Sequence, residues 1–208
     1  MSDTINILVL TKSRKNGGFC VAGIDMNTMK WVRLIVSIPP VKLHDLKYED
    51  GQYCEPLDVI ECSVSDPTTP IELQPENIMF SPPIKLVKKI TLDCLKKTID
   101  KIPFYDEDFI FSNQSCALFL DDVRKLGRSL QIAEVTNLTF HNETNLNGLS
   151  KTKLDFEYKG KKYSNFSITD PNFYNRKNSL ARAIIVFSLP GKADICYCKF
   201  VAKIFPLE

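Results

Sequence analysis

No apolar run in this chain is longer than a β-strand. The longest, Ala183 to Phe187, is strand-sized, and Ile7 to Leu10 is a branched run of the kind that suits a pleated core. A membrane span needs about 20 apolar residues in succession, so no membrane partner is expected. Short strands joined by Pro39-Pro40, Pro82-Pro83 and Pro190-Gly191 favour a small barrel or sandwich over a layered α/β fold. With 208 residues, 44% of them hydrophobic, the chain can build a real core.

Strands are expected at Ile5–Leu10, Phe19–Ile24, Trp31–Val36, Leu57–Val64 and Ile84–Ile90. Asp66-Pro67 breaks the fourth, and Pro70 to Pro75 keeps the next connection irregular. The middle changes period. Leu92, Leu95, Ile99 and Ile102 recur at helical spacing, and Leu118 to Leu126 is a second helical stretch stopped by Gly127. Strand pattern returns at Ser129–Val135 and at Lys153–Tyr158 and Lys161–Ile168, which Lys159-Gly160 joins as a two-residue turn. Ala183–Leu189 and Tyr197–Ile204 complete it. The expected organisation is an N-terminal β unit over 1–90, a helical connection over 91–128 and a C-terminal β unit over 129–208.

Seven cysteines invite a metal or disulfide reading, but five are scattered singly, and Cys196 and Cys198 sit one residue apart on one strand face. Zinc ligands are spaced by two to four residues, and His44 and His141 join no such pattern. No metal and no cofactor are expected, and the thiols read as reduced and mostly buried. Met1 to Asn6 lacks the basic and apolar regions of a secretory signal, so a cytoplasmic location is expected. Carboxylates give little for catalysis. Asp121 and Asp122 are adjacent and point apart, and Asp58, Glu61 and Lys88 form a metal-nuclease group only by invention. The chain reads as a binder and not as an enzyme.

The net charge of +2 does not announce a nucleic-acid partner, so distribution carries the argument. Lys12, Ser13, Arg14, Lys15, Asn16, Gly17 and Gly18 read as a polar loop whose cations and backbone N–H groups can hold a phosphate. It is not a phosphate-binding loop of the hydrolase kind, since the glycines follow the cations and a strand comes next. A solvent-exposed hairpin tip accounts for it equally well. Trp31 and Arg33 share a strand face, an arrangement for stacking a base beside a phosphate ligand, or for a core indole with an edge cation. Further on, Phe156, Tyr158, Tyr163, Phe166, Phe173 and Tyr174 interleave with Lys159, Lys161, Lys162 and Arg176 in a basic-aromatic mixture. Phe156 and Tyr158 share a face with Leu154 and read as core.

The runs Ile7–Asp25, Trp31–Ser37, Pro56–Glu61 and Gln74–Asn77 resemble the dual OB-containing domain family of bacteria and phages. Ser167–Pro171, Phe187–Pro190 and Cys196–Ile204 resemble its second half. Leu34 stands where that family usually has proline, and Pro190 where it commonly has glycine. The resemblance implies a mainly β fold of two packed, small OB-like β-barrels with a short helical connection. Such barrels bind single strands across strands two and three. Carried over by position, it marks Lys12, Ser13, Arg14, Lys15, Gly17, Gly18, Trp31, Arg33, Glu76 and Asn77 as nucleic-acid or nucleotide contacts. The partner expected is single-stranded nucleic acid. The alternatives are a small nucleotide or second messenger held in a pocket, and a protein partner inhibited in phage–host conflict.

Overall fold

The computed structural model describes residues 3–65, 72–144, 150–191 and 195–207. The Asp66-Pro67 break and the start of the Pro70–Pro75 stretch lie outside them. The chain is mainly β, as expected. The elements are β1 (Asp3–Lys15), β2 (Gly18–Asp25), β3 (Trp31–Ile35), β4 (Asp58–Ser65), β5 (Asn77–Lys89), α1 (Leu92–Lys96), β6 (Ala117–Leu118) and α2 (Leu120–Leu126). They continue with β7 (Leu130–Thr144), β8 (Ser150–Tyr158), β9 (Lys161–Ile168), β10 (Leu180–Ser188), β11 (Tyr197–Cys198) and β12 (Phe200–Leu207). The chain divides into two compact units, Met1–Ile71 with Glu76–Tyr105, and Glu72–Pro75 with Asp106–Glu208.

In the first unit the strands pair in the order β1-β2-β3-β5-β4 and close back on β1. Every pair is antiparallel except β3 with β5. That is a five-stranded OB-like barrel. Its interior holds Ile7, Val9, Val21, Leu34, Ile60 and Phe80, all nearly inaccessible. Asn16 and Gly17 turn β1 into β2 at φ 38° and 78°, the positive values that match hairpin twist. A bulge at Val9/Thr11 brings β2 so close that a Cβ at Gly23 would lie 2.0 Å from the Leu8 carbonyl oxygen.

Three stretches of the first unit depart from the sequence expectation. Thr11 to Lys15 is not a loop but the second half of β1, with Thr11 and Ser13 buried. Thr and Ser look like loop residues by polarity, yet they alternate with Lys12 and Arg14 at strand period. Pro82-Pro83 does not interrupt the chain either, because β5 runs straight through it. The register shifts between Glu61 and Ser63 on the facing strand, so no ladder donor is demanded of the two prolines. The helix expected over Leu92–Ile102 stops at Lys96 and resumes as a 3-10 turn at Ile99–Lys101. Thr98 turns its hydroxyl onto the carbonyls of Cys94 and Leu95, which competes with the helical ladder. Leu95, Ile99 and Ile102 are nevertheless buried, as the apolar stripe requires.

In the second unit the ladders run β7-β8-β9-β12-β10 and return to β7, again with only the third and last strands parallel. Lys159 and Gly160 make the expected turn, at φ 48° and 72°. The core is aromatic. Phe156 stacks on Tyr163 with centroids 5.1 Å apart, and Phe166 and Phe187 pack around them. Gly127 caps α2 in the left-handed region, as expected. The single strand expected over Tyr197–Ile204 splits at Lys199. That side chain is fully buried, and its ammonium donates to the carbonyl oxygen of Ile110 at 2.6 Å and to two oxygens of Asn113. β11 therefore leaves the main sheet and pairs with β6, while β12 stays in it.

Candidate functional site

The basic segment expected to hold a ligand is a β-hairpin arm. Lys12 is mostly buried; its ammonium donates to the Cys54 carbonyl at 2.9 Å and pairs with Glu55. Ser13 faces Cys20 across the ladder and is buried. Arg14 and Lys15 are exposed, and the Arg14 guanidinium lies over the Phe19 ring at 5.3 Å. Gly17 sits in the turn, its carbonyl accepting from the Lys42 ammonium at 3.1 Å. Gly18 approaches its neighbours so closely that a Cβ would lie 2.4 Å from the Val41 oxygen. Of these residues, Arg14 and Lys15 are the ones that present charge to solvent.

Trp31 and Arg33 share the outer face of β3, as their spacing implies, but that face is closed. Trp31 is 5% exposed and donates its indole N–H to the Pro103 carbonyl at 3.0 Å. Arg33 is 2% exposed, and one of its terminal nitrogens donates to the Cys20 sulfur. Neighbouring Cys20, Ala22 and Ile24 on β2 are buried too. An indole in this position stacks on no ligand without local opening. Glu76 contributes its backbone oxygen to the Arg33 N–H at 2.8 Å, and Asn77 pairs with Arg33 along the parallel ladder. The Asn77 carboxamide is buried, and neither of its polar atoms has a hydrogen-bond partner among the described residues. Gln74, in the same sequence motif, is buried and donates to the Leu189 carbonyl at 3.0 Å in the second unit.

The matching face of the second unit is open. A cleft of about 420 Å³ lies along the start of β8, the end of β9 and the start of β12, lined by Lys151, Ser167, Thr169, Tyr174, Asn175 and Phe200. Ser167 is the hinge of this face, pairing with Lys153 on β8 and with Phe200 on β12. The wall is built by the chain after β9. Asp170, itself buried, accepts from the backbone N–H of Asn172 and of Ile204 and pairs with Lys203 at 3.1 Å. Asn175, at φ 59°, donates its backbone N–H to the Thr152 hydroxyl, which donates in turn to Asn142. These bonds hold Tyr174 at 43% exposure, its hydroxyl facing the Thr169 carbonyl. Arg176 lies over the rings of Phe140 and Phe173. The cleft thus offers one aromatic face to solvent, one lysine and several hydroxyl and amide groups.

Sequence reasoning placed Tyr174 in a basic-aromatic mixture but singled out none of Lys151, Ser167, Thr169 or Phe200. The available signal was the Asp170-Pro171 break directly after a strand, which marks a built corner. Elsewhere, buried ionisable groups serve the framework. Asp58 accepts from the Tyr48 hydroxyl at 2.8 Å and the Glu55 N–H at 2.9 Å, and burial pushes the Cys54 thiol up to about 12. Burial raises the Tyr48 hydroxyl as well. Such thiols and phenols are poor nucleophiles at neutral pH. Among the described residues no three His, Cys, Asp or Glu side chains are grouped to hold a metal ion. No helix among them is long and apolar enough to cross a membrane.

The barrel topology of the first unit defines the class, an OB-type β protein. The chain belongs to the dual OB-containing domain family, whose model matches residues 5–204. No curated protein matches it. Among solved structures, it is similar to a murine DNA binding protein bound with double-stranded DNA, at 7% identity over 99% of this chain and 100% of that one. It is also similar to the Ifi202 HINa domain in complex with a 20-bp duplex, at 11% identity over 99% of this chain and 97% of that one. Both have a TM-score of 0.38, and at that level neither bears on what this chain binds.

Proposed function

We propose that the protein binds single-stranded nucleic acid and does no chemistry on it, with the cleft on β8, β9 and β12 as the principal contact. The observation that carries this reading is the position of the cleft. OB barrels bind oligonucleotides across strands two and three, and β8 and β9 are the second and third strands of the second ladder set. On this reading that set is an OB-like barrel too, so the chain carries two, with residues 91–128 between them.

Tyr174 supplies the stacking face, worth about 1–3 kcal/mol per base. Lys151 meets a phosphate, and Ser167, Thr169 and Asn175 offer hydrogen bonds to base or sugar. Arg14 and Lys15, exposed on the first barrel's hairpin, supply further phosphate contacts. Lys12, Ser13, Gly17, Gly18, Trp31, Arg33, Glu76 and Asn77 hold the first barrel's frame around them. Seven unbridged cysteines support a working place in the reducing cytoplasm.

A free nucleotide is the second reading, because about 420 Å³ lies in the range of small-ligand clefts. Anisotropy of a fluorescein-labelled oligothymidylate, titrated at low and high salt, tests both. Saturable binding that weakens with salt and resists competition by mononucleotides supports strand binding. Complete displacement by a mononucleotide at equal concentration moves the assignment to the nucleotide. No binding in either arm refutes the proposal.

A further inference from the structure

We propose that Cys196 and Cys198 form a thiol–disulfide exchange site that accepts small disulfides such as oxidised glutathione. This goes beyond nucleic-acid binding and does not depend on it.

Both thiols are exposed, against the expectation of mostly buried thiols, which holds only for Cys20, Cys54 and Cys62 in the first unit. Partial burial raises the Cys198 thiol above its ordinary value, with Cys196 and Cys116 adding to this and Lys153 opposing it. The backbone explains the pairing. Tyr197, between the two, is buried and paired with Leu118, so the residues on either side turn to the opposite, outer face. Cys198 is then fixed from both sides, by its ladder pair with Ala117 and by Lys199, whose backbone N–H donates to the Cys116 carbonyl. Cys196 lies just before β11 and carries no ladder constraint of its own.

The two positions suit different steps. The exposed Cys196 is the attacking thiol. Its thiolate attacks one sulfur of the small disulfide, forming a mixed disulfide and expelling one thiolate, which takes up the proton that Cys196 gave up. Cys198, partly covered, is the resolving thiol. It attacks the Cys196 sulfur, expels the second small thiolate and passes its own proton to it. Two protein thiols and one small disulfide thereby become one protein disulfide and two small thiols. A bridge across a single residue is confined, and confined disulfides are readily reduced again. The site is therefore reversible in a reducing compartment, not a permanent staple.

The test is oxidation of the intact protein with oxidised glutathione, followed by alkylation, tryptic digestion and mass spectrometry. The peptide Ala193–Lys199 contains both residues. It should appear two hydrogens lighter and unalkylated, and dithiothreitol should restore it. Cys198→Ser should leave glutathione trapped on Cys196. A bridge from either residue to Cys116, or glutathione on Cys94 alone with Cys196 and Cys198 both alkylated, overturns the assignment.

Discussion

Replacing Lys199 by methionine isolates what a buried ammonium contributes to this fold. Methionine is unbranched and close to lysine in length, so it fills the methylene channel and adds little cavity cost. What is lost is the donor to three oxygens. The Ile110 carbonyl is buried, and leaving such an acceptor unsatisfied costs about 1–3 kcal/mol. The two Asn113 oxygens are only partly buried, so water can replace the donor at roughly 0.5–1 kcal/mol each. The sum is about 3 kcal/mol with the amine neutral, above about pH 10, which for a unit of this size lowers Tm by roughly 10–15 °C; nearer neutral pH the cost of burying the ammonium offsets it. Trp31 lies in the other unit, so calorimetry is the assay and the Trp31 fluorescence transition is the internal control.

The pH dependence has a definite sign. Burial pushes the native Lys199 ammonium down to about 7, while the unfolded side chain keeps its ordinary value of 10.5. Between those values unfolding takes up a proton that the native state does not hold. Wild-type stability therefore rises with pH across that interval, relative to Lys199→Met. A Tm change under 2 °C at about pH 10, or a difference that shrinks as pH rises from about 7, would refute the reasoning.

Asp58→Ala removes the acceptor shared by Tyr48 and Glu55 and should cost about 2–4 kcal/mol, measured by urea unfolding followed through Trp31 in the same unit. Asn77→Leu should be neutral or stabilising by about 1 kcal/mol in the same assay, because it removes two buried polar atoms without partners among the described residues. A loss above about 2 kcal/mol would show that Asn77 is paired in solution through water. Tyr174→Ala should weaken oligonucleotide binding by about 5- to 100-fold with little effect on stability, since the ring is half-exposed.

The strands and helices were legible where local chemistry dictated them. Lys159-Gly160 demands a hairpin turn, and Leu95, Ile99 and Ile102 mark one buried stripe. Polarity misled at Thr11–Lys15, where small hydroxyl side chains were buried in a strand, and at Pro82-Pro83, where the facing strand removed the need for a donor. The cleft was harder to see. Its lining comes from β8, β9, β12 and the corner after Asp170, and no stretch of sequence holds these together. Trp31 and Arg33 were correctly placed on one face. The Trp31 indole is closed in against a carbonyl 72 residues away, a contact that strand periodicity does not encode.

The most direct test of the binding account is photocrosslinking of a short oligonucleotide containing iodouracil to the purified protein, with the attachment sites read by mass spectrometry. The account predicts adducts on Tyr174 or Phe200, lost in Tyr174→Ala or competed by unlabelled strand. Crosslinks confined to the β1–β2 hairpin, with none on β8, β9, β12 or the Asp170–Arg176 wall, would contradict it.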